Sequence, residues 1–168
     1  MEIQYKFALV LKLDSVPEIE LPEGFDRIEK SHMTLIGGPA LKQFKKELKV
    51  KMKTFLLRMQ PLAELGAVKW SERMRKINDI DAFADNFSIA TRDNVPVDKG
   101  NPDLGVETRR TLFVPISNQD AVREFVNELC EELGITNPEP DRFYHVSLAN
   151  THGGDAWKSV GDITASDI

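Results

Sequence analysis

Apolar runs and turn-rich segments alternate along the first quarter of the chain and predict two strands. Residues 5–13 (YKFALVLKL) form an apolar run bounded by Asp14 and Pro17, so a buried strand is expected there. Residues 14–27 contain two prolines, a glycine and several acids, which is typical of a loop. Residues 28–36 (IEKSHMTLI) predict a second strand, which ends at the Gly-Gly-Pro that follows.

A long helix is predicted for residues 40–59, because apolar residues recur there at helical spacing. The lysines of this segment lie mostly off the apolar stripe. They indicate a solvated face, with a phosphate-steering patch as the alternative. The stripe comprises Leu41, Phe44, Leu48, Phe55, Leu56 and Met59, and the lysines are Lys42, Lys45, Lys46, Lys49 and Lys53.

The middle of the chain, residues 61–107, has the least regular pattern. Residues 67–70 (AVKW) and 86–91 (NFSIAT) predict strands. Residues 93–107 contain two prolines and two glycines and predict a loop, either a mobile flap or an ordinary hairpin connection.

The last third repeats the elements of the first. Residues 109–116 predict a strand, residues 118–133 a helix that Gly134 ends, and residues 142–149 (RFYHVSLA) a further strand. Each half of the chain therefore holds one helix and one strand that carries a histidine. The pattern predicts an α+β protein in which residues 1–168 form a single domain of two lobes.

Two of the three histidines lie in matched settings, SHMTL in the first half and YHVSL in the second. Successive side chains of a strand point to opposite faces. His32 and Thr34 are therefore predicted to share one face of their strand, as are His145 and Ser147. The apolar residue within each pair and the leucine after it would face the core. If the lobes face each other, two imidazoles and two hydroxyls converge on one cleft.

This constellation suits the cleavage of a phosphodiester. A neutral histidine can take a proton from the attacking group, and a protonated histidine can give one to the leaving oxygen. The hydroxyls can donate hydrogen bonds to the non-bridging oxygens, where negative charge must be held. Two histidines without a nearby carboxylate or cysteine are an incomplete zinc ligand set, so neither a metal nor another cofactor is predicted.

Composition and charge narrow the range of partners. Apolar residues make up 41% of the chain and charged residues 29%, as in ordinary globular proteins. The net charge of −5 argues against long duplex DNA as a partner, whereas a small phosphate-bearing ligand in a locally basic cleft remains allowed.

Three features that the sequence lacks bear on where in the cell the protein is expected. No apolar run reaches the length of a membrane span, the amino terminus lacks the apolar core of a signal peptide, and the single Cys130 cannot form an internal disulfide. A cytoplasmic protein without a membrane partner is therefore expected, and the sequence leaves its oligomeric state open.

At these motifs the chain resembles the two-histidine (2H) phosphoesterase superfamily, whose mark is a pair of H-x-[T/S]-x motifs. The matching segments are HMTL, starting at His32, and HVSL, starting at His145. The resemblance implies a bilobal, pseudo-two-fold α+β fold in which two antiparallel sheets flank a central cleft, with helices outside. It also implies that His32 and His145 are the catalytic acid and base, in an order left open, and that Thr34 and Ser147 bind the phosphate.

The resemblance further implies a reaction class. The superfamily includes RNA 2′,3′-cyclic phosphodiesterases (the 2′-5′ RNA ligase-like enzymes), small-nuclear-RNA 3′-end exonucleases, 2′-5′-oligoadenylate phosphodiesterases and viral enzymes that destroy cyclic oligonucleotide signals. The FYHVSLA run is most similar to the exonuclease branch. The implied activity is metal-independent cleavage of RNA ends or small oligonucleotides, with a 2′,3′-cyclic phosphate as substrate or product. A bacterial or viral origin would fit a short acidic enzyme of this type.

Further side chains are candidate substrate contacts, each with a structural alternative. Phe143 could stack on a base, whereas Tyr144 should point to the opposite face and pack in the core. His152 lies in a THGG turn just after the second motif, where Gly153 and Gly154 would let the backbone approach a ligand. Arginines could contact phosphate or lie on a solvated surface. The full set is Trp70, Arg75, Arg109, Arg142, Phe143, Tyr144 and His152.

Two other classes of function compete with the enzyme. A catalytically weak nucleotide-binding module of the same fold would keep the pocket without useful turnover. A purely structural protein would leave the paired motifs as a coincidence. Cleavage and binding assays on small phosphodiesters separate the three.

Overall fold

The structure, a computed structural model, describes residues 2–6, 8–13, 16, 18–47, 54, 57 and 87–168 of the 168-residue chain. The strand predicted at 67–70 and the candidate contacts Trp70 and Arg75 lie outside the described residues. The same is true of most of the predicted helix beyond residue 47.

Seven strands, two α-helices and three short 3-10 helices have their bounds among the described residues, which confirms the α+β class. No helix among them has the length and apolarity needed to cross a membrane. The strands are β1 (Glu2–Lys6), β2 (Ala8–Lys12), β3 (Asp26–Arg27), β4 (His32–Ile36), β5 (Ser88–Pro96), β6 (Val106–Pro115) and β7 (His145–Asn150), and the helices are α1 (Gly38–Glu47) and α2 (Gln119–Leu133).

The strands form one antiparallel sheet in the order β1-β2-β4-β7-β6-β5, and the short β3 pairs with β7. Two outer hairpins, β1–β2 and β5–β6, thus flank the two central strands that carry the histidine motifs. A single residue pair, Met33 with Val146, joins β4 to β7. The described strands therefore do not form the two separate sheets that the resemblance implied. Instead, two halves of three main strands each meet in one sheet at this pair.

Strand limits in the first half differ from those predicted. The apolar run at 5–13 belongs to a hairpin, because β1 and β2 pair with Lys6 opposite Ala8. Its sequence contains no glycine, proline or asparagine to mark the reversal. The strand predicted at 28–36 begins only at His32, since a turn precedes it.

The loop predicted at 93–107 is shorter than expected, so an ordinary hairpin connection is found there. Strand β5 continues to Pro96 and β6 begins at Val106. A shift in register interrupts their pairing between Arg92 and Val95. Asn94 adopts a left-handed φ of 55° within this bulge, a conformation that asparagine tolerates better than most residues.

Both helices pack on one face of the sheet and enclose the main core there. The central strands contribute Met33, Leu35, Val146 and Leu148 to this core, each at most 1% exposed. The residues that alternate with them are only half-buried, which confirms the strand parity predicted from the sequence. Helices on the outside of two sheets were implied by the resemblance. Here they share one face of a single sheet.

Helix α2 begins one residue later than predicted and ends at the predicted residue. The side chain of Asn118 caps its start by accepting a hydrogen bond from the amide of Ala121. Gly134 ends it in a left-handed conformation, φ 72°, with its amide bonded to the carbonyls of Cys130 and Glu131. The predicted helix stop at Gly134 is therefore confirmed.

The carboxyl-terminal residues cover part of the opposite face. Val160 and Ile163 pack with the buried Phe113 ring of β6. Arg92 anchors the end of the chain through paired hydrogen bonds of 2.8 and 2.9 Å to the two carboxylate oxygens of Asp167. This segment forms a wall beside the central strands.

The loop that follows β7 runs against β3. Gly154, at φ 76°, lies so close to β3 that an added Cβ would overlap the carbonyl oxygen of Arg27. Gly153, at φ 68°, has open space where a Cβ would stand. Only Gly154 of the two glycines makes a close backbone approach, and it approaches β3 rather than the ligand that was expected.

Gly154→Ala is expected to destabilise the protein more than the matched control Gly153→Ala. Both substitutions place alanine at a positive φ, which costs about 1–2 kcal/mol. Only Gly154→Ala also forces the loop away from β3, which adds an overpacking cost of about 1–3 kcal/mol. Free energies of unfolding from urea titrations measure the difference. Equal costs for the two variants would show that the contact with Arg27 is not tight.

Candidate active site

One small pocket of about 140 Å³ contains all four side chains of the two motifs. It opens on the sheet face opposite the helices, between the central strands and the carboxyl-terminal wall. The lining residues are Ile28, Ser31, His32, Thr34, Arg142, His145, Ser147, Ala156, Ser159, Val160 and Gly161.

The pairing of β4 with β7 explains why the two motifs meet. Continuing the antiparallel register from Met33 and Val146 places His32 opposite Ser147, and Thr34 opposite His145. The hydroxyl of Ser31 supports this alignment by donating a 3.0 Å hydrogen bond to the carbonyl of Ser147. Each imidazole thus has one hydroxyl two residues along its own strand and another across the joint.

The two histidines have matching backbone contacts. Nδ1 of His32 lies 3.2 Å from the carbonyl oxygen of Lys30, and Nδ1 of His145 lies 3.4 Å from that of Phe143. A carbonyl can only accept, so a hydrogen bond requires the proton on Nδ1 of the neutral ring. Nε2 then keeps its lone pair and can accept a proton from a ligand.

His145 lies in an apolar setting that disfavours its charged form. Its ring meets Phe113 edge-on, at 5.7 Å between centroids, and stacks with Phe143 at 6.3 Å. Burial lowers the pKa of His145 to about 4, and the positive charges of Arg142 and His32 act in the same direction. The Phe143 carbonyl opposes this shift without reversing it. His145 is therefore neutral at pH 7.

The hydroxyls of Thr34 and Ser147 are available to a ligand. Both residues line the pocket and are half-buried. Within the part of the chain that the structure describes, neither side-chain oxygen is engaged in a hydrogen bond. Both can therefore donate to an anionic oxygen in the pocket.

Arg142 contributes to the pocket and braces the joint between the two halves. Its Nε donates a 3.2 Å hydrogen bond to the carbonyl of Thr34, and its Nη1 donates to both carboxylate oxygens of Glu139 at 2.9 and 3.0 Å. Glu139 in turn accepts a 2.7 Å hydrogen bond from the amide of Gly37, at the start of α1. The segment before β7 is thus fixed to the middle of β4 and to the residue that follows this strand, and the charge of Arg142 is partly balanced.

The two aromatic residues that precede His145 lie on opposite faces of the sheet, as strand parity predicts. Tyr144 is fully buried in the main core, and burial raises its pKa to about 12. Its hydroxyl has no hydrogen-bond partner among the described residues. Phe143 is half-buried on the pocket face. It also lines a more open cleft of about 710 Å³, which shares Arg142 and Gly161 with the small pocket.

Arg109 and His152 are not brought to the pocket. Both bind Glu107, Arg109 through Nε at 2.9 Å and His152 through Nε2 at 3.0 Å, and Lys158 lies 3.5 Å from the same carboxylate. Burial acts to raise the pKa of Glu107, but the hydrogen bonds from Arg109 and His152 outweigh it and leave the pKa below its usual value. These side chains form an ion cluster that ties the loop after β7 to β6.

The carboxyl-terminal wall, above all Ser159, is the part of the site that sequence reasoning missed. The glycine turn after the second motif signals that the chain changes direction there. It does not signal that residues 156–161 return to the pocket. The described residues, those of the wall included, contain no cluster of three or more His, Cys, Asp or Glu side chains placed to hold a metal ion.

Comparison of the chain with protein-family models, with curated proteins and with solved structures gave no match.

Replacing His145 should reduce the sensitivity of the fold to acid. Below the ordinary histidine pKa of about 6.5, the unfolded chain gains a proton at His145, whereas the folded protein resists protonation down to about pH 4. Acidification from pH 7.5 to pH 4.5 therefore costs the native protein roughly 2–3 kcal/mol through this residue.

His145→Gln removes this contribution and leaves the titration of acidic residues in place. The free energy of unfolding by urea should fall less between the two pH values in the variant than in the native protein. An equal fall in both proteins would contradict the burial of a neutral His145.

Proposed function

We propose that this chain is a phosphodiesterase of the 2H type that cleaves RNA ends or small 2′-5′ or cyclic oligonucleotides, with a 2′,3′-cyclic phosphate as substrate or product. The observation that carries the proposal is the meeting of two matched histidine–hydroxyl pairs in one pocket, on neighbouring strands with equivalent backbone contacts. The mirrored strand order about β4 and β7 supports the pseudo-two-fold 2H fold as part of the same proposal.

His145 is assigned as the general base and His32 as the general acid. A base must be neutral before reaction, and the low pKa of His145 keeps it so at pH 7. Nε2 of His145 takes the proton from the attacking group, which is either a ribose 2′-hydroxyl or water. The new oxygen–phosphorus bond forms as the bond to the leaving oxygen breaks, and His32 gives that oxygen its proton.

The remaining pocket groups hold the phosphate. The hydroxyls of Thr34 and Ser147, which no described residue engages, donate to the non-bridging oxygens, where a fixed donor is worth most if water is excluded. Arg142 adds positive charge at the pocket edge, tempered by Glu139. A small pocket inside a protein of net charge −5 suits an RNA end or a short oligonucleotide better than long duplex DNA. The proposed location is the cytoplasm.

A substrate panel in EDTA tests the proposal. It contains a 2′,3′-cyclic nucleotide, a 2′-5′ oligoadenylate, a cyclic oligonucleotide and a uridine-tailed RNA. The native protein should cleave at least one of them. His32→Ala and His145→Ala should each lower the rate by about 10²–10⁴-fold, because each removes a positioned proton-transfer group.

His152→Ala is the matched control, since the third histidine lies in the Glu107 cluster and should change the rate by less than about threefold. Activity that survives loss of His32 or His145 would overturn the mechanism. Binding of these nucleotides without any cleavage would favour the nucleotide-binding module instead.

A further inference from the structure

The buried side chain of Asn150 makes most of the side-chain hydrogen bonds that shape the carboxyl-terminal pocket wall. This last residue of β7 has no exposed surface. Its Oδ1 accepts hydrogen bonds from the amides of His152 and Gly154, at 2.9 and 3.0 Å. Its Nδ2 donates to the carbonyl of Asp155 at 2.7 Å and to Oγ of Ser159 at 3.0 Å. All four hydrogen-bonding positions of the amide are thus used to shape this loop.

A second buried polar contact fixes the chain just beyond Ser159. The hydroxyl oxygen of Thr111 on β6 accepts a 2.8 Å hydrogen bond from the amide of Val160. Asn150 and Thr111 therefore fix the chain before and after Ser159, which keeps Ser159 at the pocket. Buried hydrogen bonds of this kind are costly to break, so the wall is a built feature rather than a loose tail.

The hydroxyl of Ser159 is left with its proton free. An amide nitrogen can only donate, so the oxygen of Ser159 is the acceptor in its contact with Asn150. Among the described residues, the Ser159 hydroxyl donates to no other group, and it lines the pocket beside the motif residues. Ser31 differs, because its proton is already given to the Ser147 carbonyl.

We propose that Ser159 is a third phosphate-binding hydroxyl and that Asn150 is its positioning residue. The inference rests on the proposed function and extends its phosphate site from the two motif strands to the carboxyl-terminal wall. The phosphate is then held from three directions, by Thr34, Ser147 and Ser159. The ligand class is a phosphodiester or its phosphomonoester product.

Ser159→Ala tests the contact between Ser159 and phosphate through kcat/KM and through the preference between phosphorothioate diastereomers. On whichever panel substrate is cleaved, kcat/KM should fall about 10- to 100-fold, the usual effect of one hydrogen bond to a charged oxygen. The two phosphorothioate diastereomers of that substrate give the sharper test. Where sulfur replaces the oxygen that Ser159 contacts, the native protein has already lost the hydrogen bond, and the variant should lose little more.

The other diastereomer should show the full loss in the Ser159→Ala variant. Equal losses on both diastereomers and on the oxygen substrate would overturn the contact and leave Ser159 a purely structural role. Ser117→Ala, on the exposed turn before α2, is the control and should not alter diastereomer preference. Thermal unfolding midpoints show whether each variant is folded.

Asn150→Asp tests whether Asn150 acts by orienting the Ser159 hydroxyl toward the phosphate. The carboxylate oxygen in place of Nδ2 would attract the Ser159 proton, so this hydroxyl could no longer donate into the pocket. If the variant folds, adding Ser159→Ala to it should change kcat/KM by less than about twofold. A further loss of 10-fold or more would overturn the positioning role. If it does not fold, Asn150→Ser provides the same comparison in a smaller side chain.

A binding measurement can test the contact between Ser159 and phosphate even if the protein cleaves none of the substrates. Should the native protein cleave nothing, its affinity for a nucleoside 3′-monophosphate can be measured by calorimetry. A loss of about 10-fold in Ser159→Ala would then support the phosphate contact while the enzyme proposal falls. Unchanged affinity, or no binding by the native protein, would overturn the Ser159 inference as well.

Discussion

The pairing of Met33 with Val146 is the joint on which the rest of the molecule depends. It is the one backbone-paired position between β4 and β7, and so it joins the two halves into one sheet. Because side chains alternate along a strand, sending Met33 and Val146 into the helical core sends their neighbours to the other face. The same pair therefore closes the core and assembles the candidate site. The Arg142–Glu139 pair reinforces it by fixing the segment before β7 to the carbonyl of Thr34 and the amide of Gly37.

Desolvation of the His145 imidazole makes the two histidines of the candidate site unequal. The two motifs are alike in sequence and in their backbone contacts, yet among the described residues only His145 has phenylalanine rings, Phe113 and Phe143, against its imidazole. Burial of an ionisable ring favours its neutral form, which suits proton acceptance but weakens the fold in acid. Tyr144, the residue before it, is buried on the opposite face with its hydroxyl unpartnered among the described residues. The Tyr144 hydroxyl and the His145 imidazole thus both lie in apolar surroundings at the start of β7. The packing around them must offset the free-energy cost of burying these two polar groups.

Strand parity could be predicted from the sequence because it depends only on local alternation. It placed His32, Thr34, His145 and Ser147 on the correct face and Tyr144 in the core. The reversal between β1 and β2, which falls inside the strand predicted at 5–13, could not be predicted, since no turn residue marks it. Sequence also could not show that Glu107 would bind Arg109 and His152, or that a buried Asn150 would return Ser159 to the pocket. These features depend on contacts between residues far apart in the chain or on a loop without a motif.

A crystal structure of the protein with a uridine–vanadate complex would test the central claim most directly. Vanadate bound to a ribose adopts the five-coordinate geometry of in-line attack on phosphorus. The account predicts Nε2 of His145 and of His32 within about 3.2 Å of the two opposite apical oxygens, with the Thr34 and Ser147 hydroxyls on equatorial oxygens. Vanadate bound outside the pocket, or in contact with only one of the two imidazoles, would contradict it.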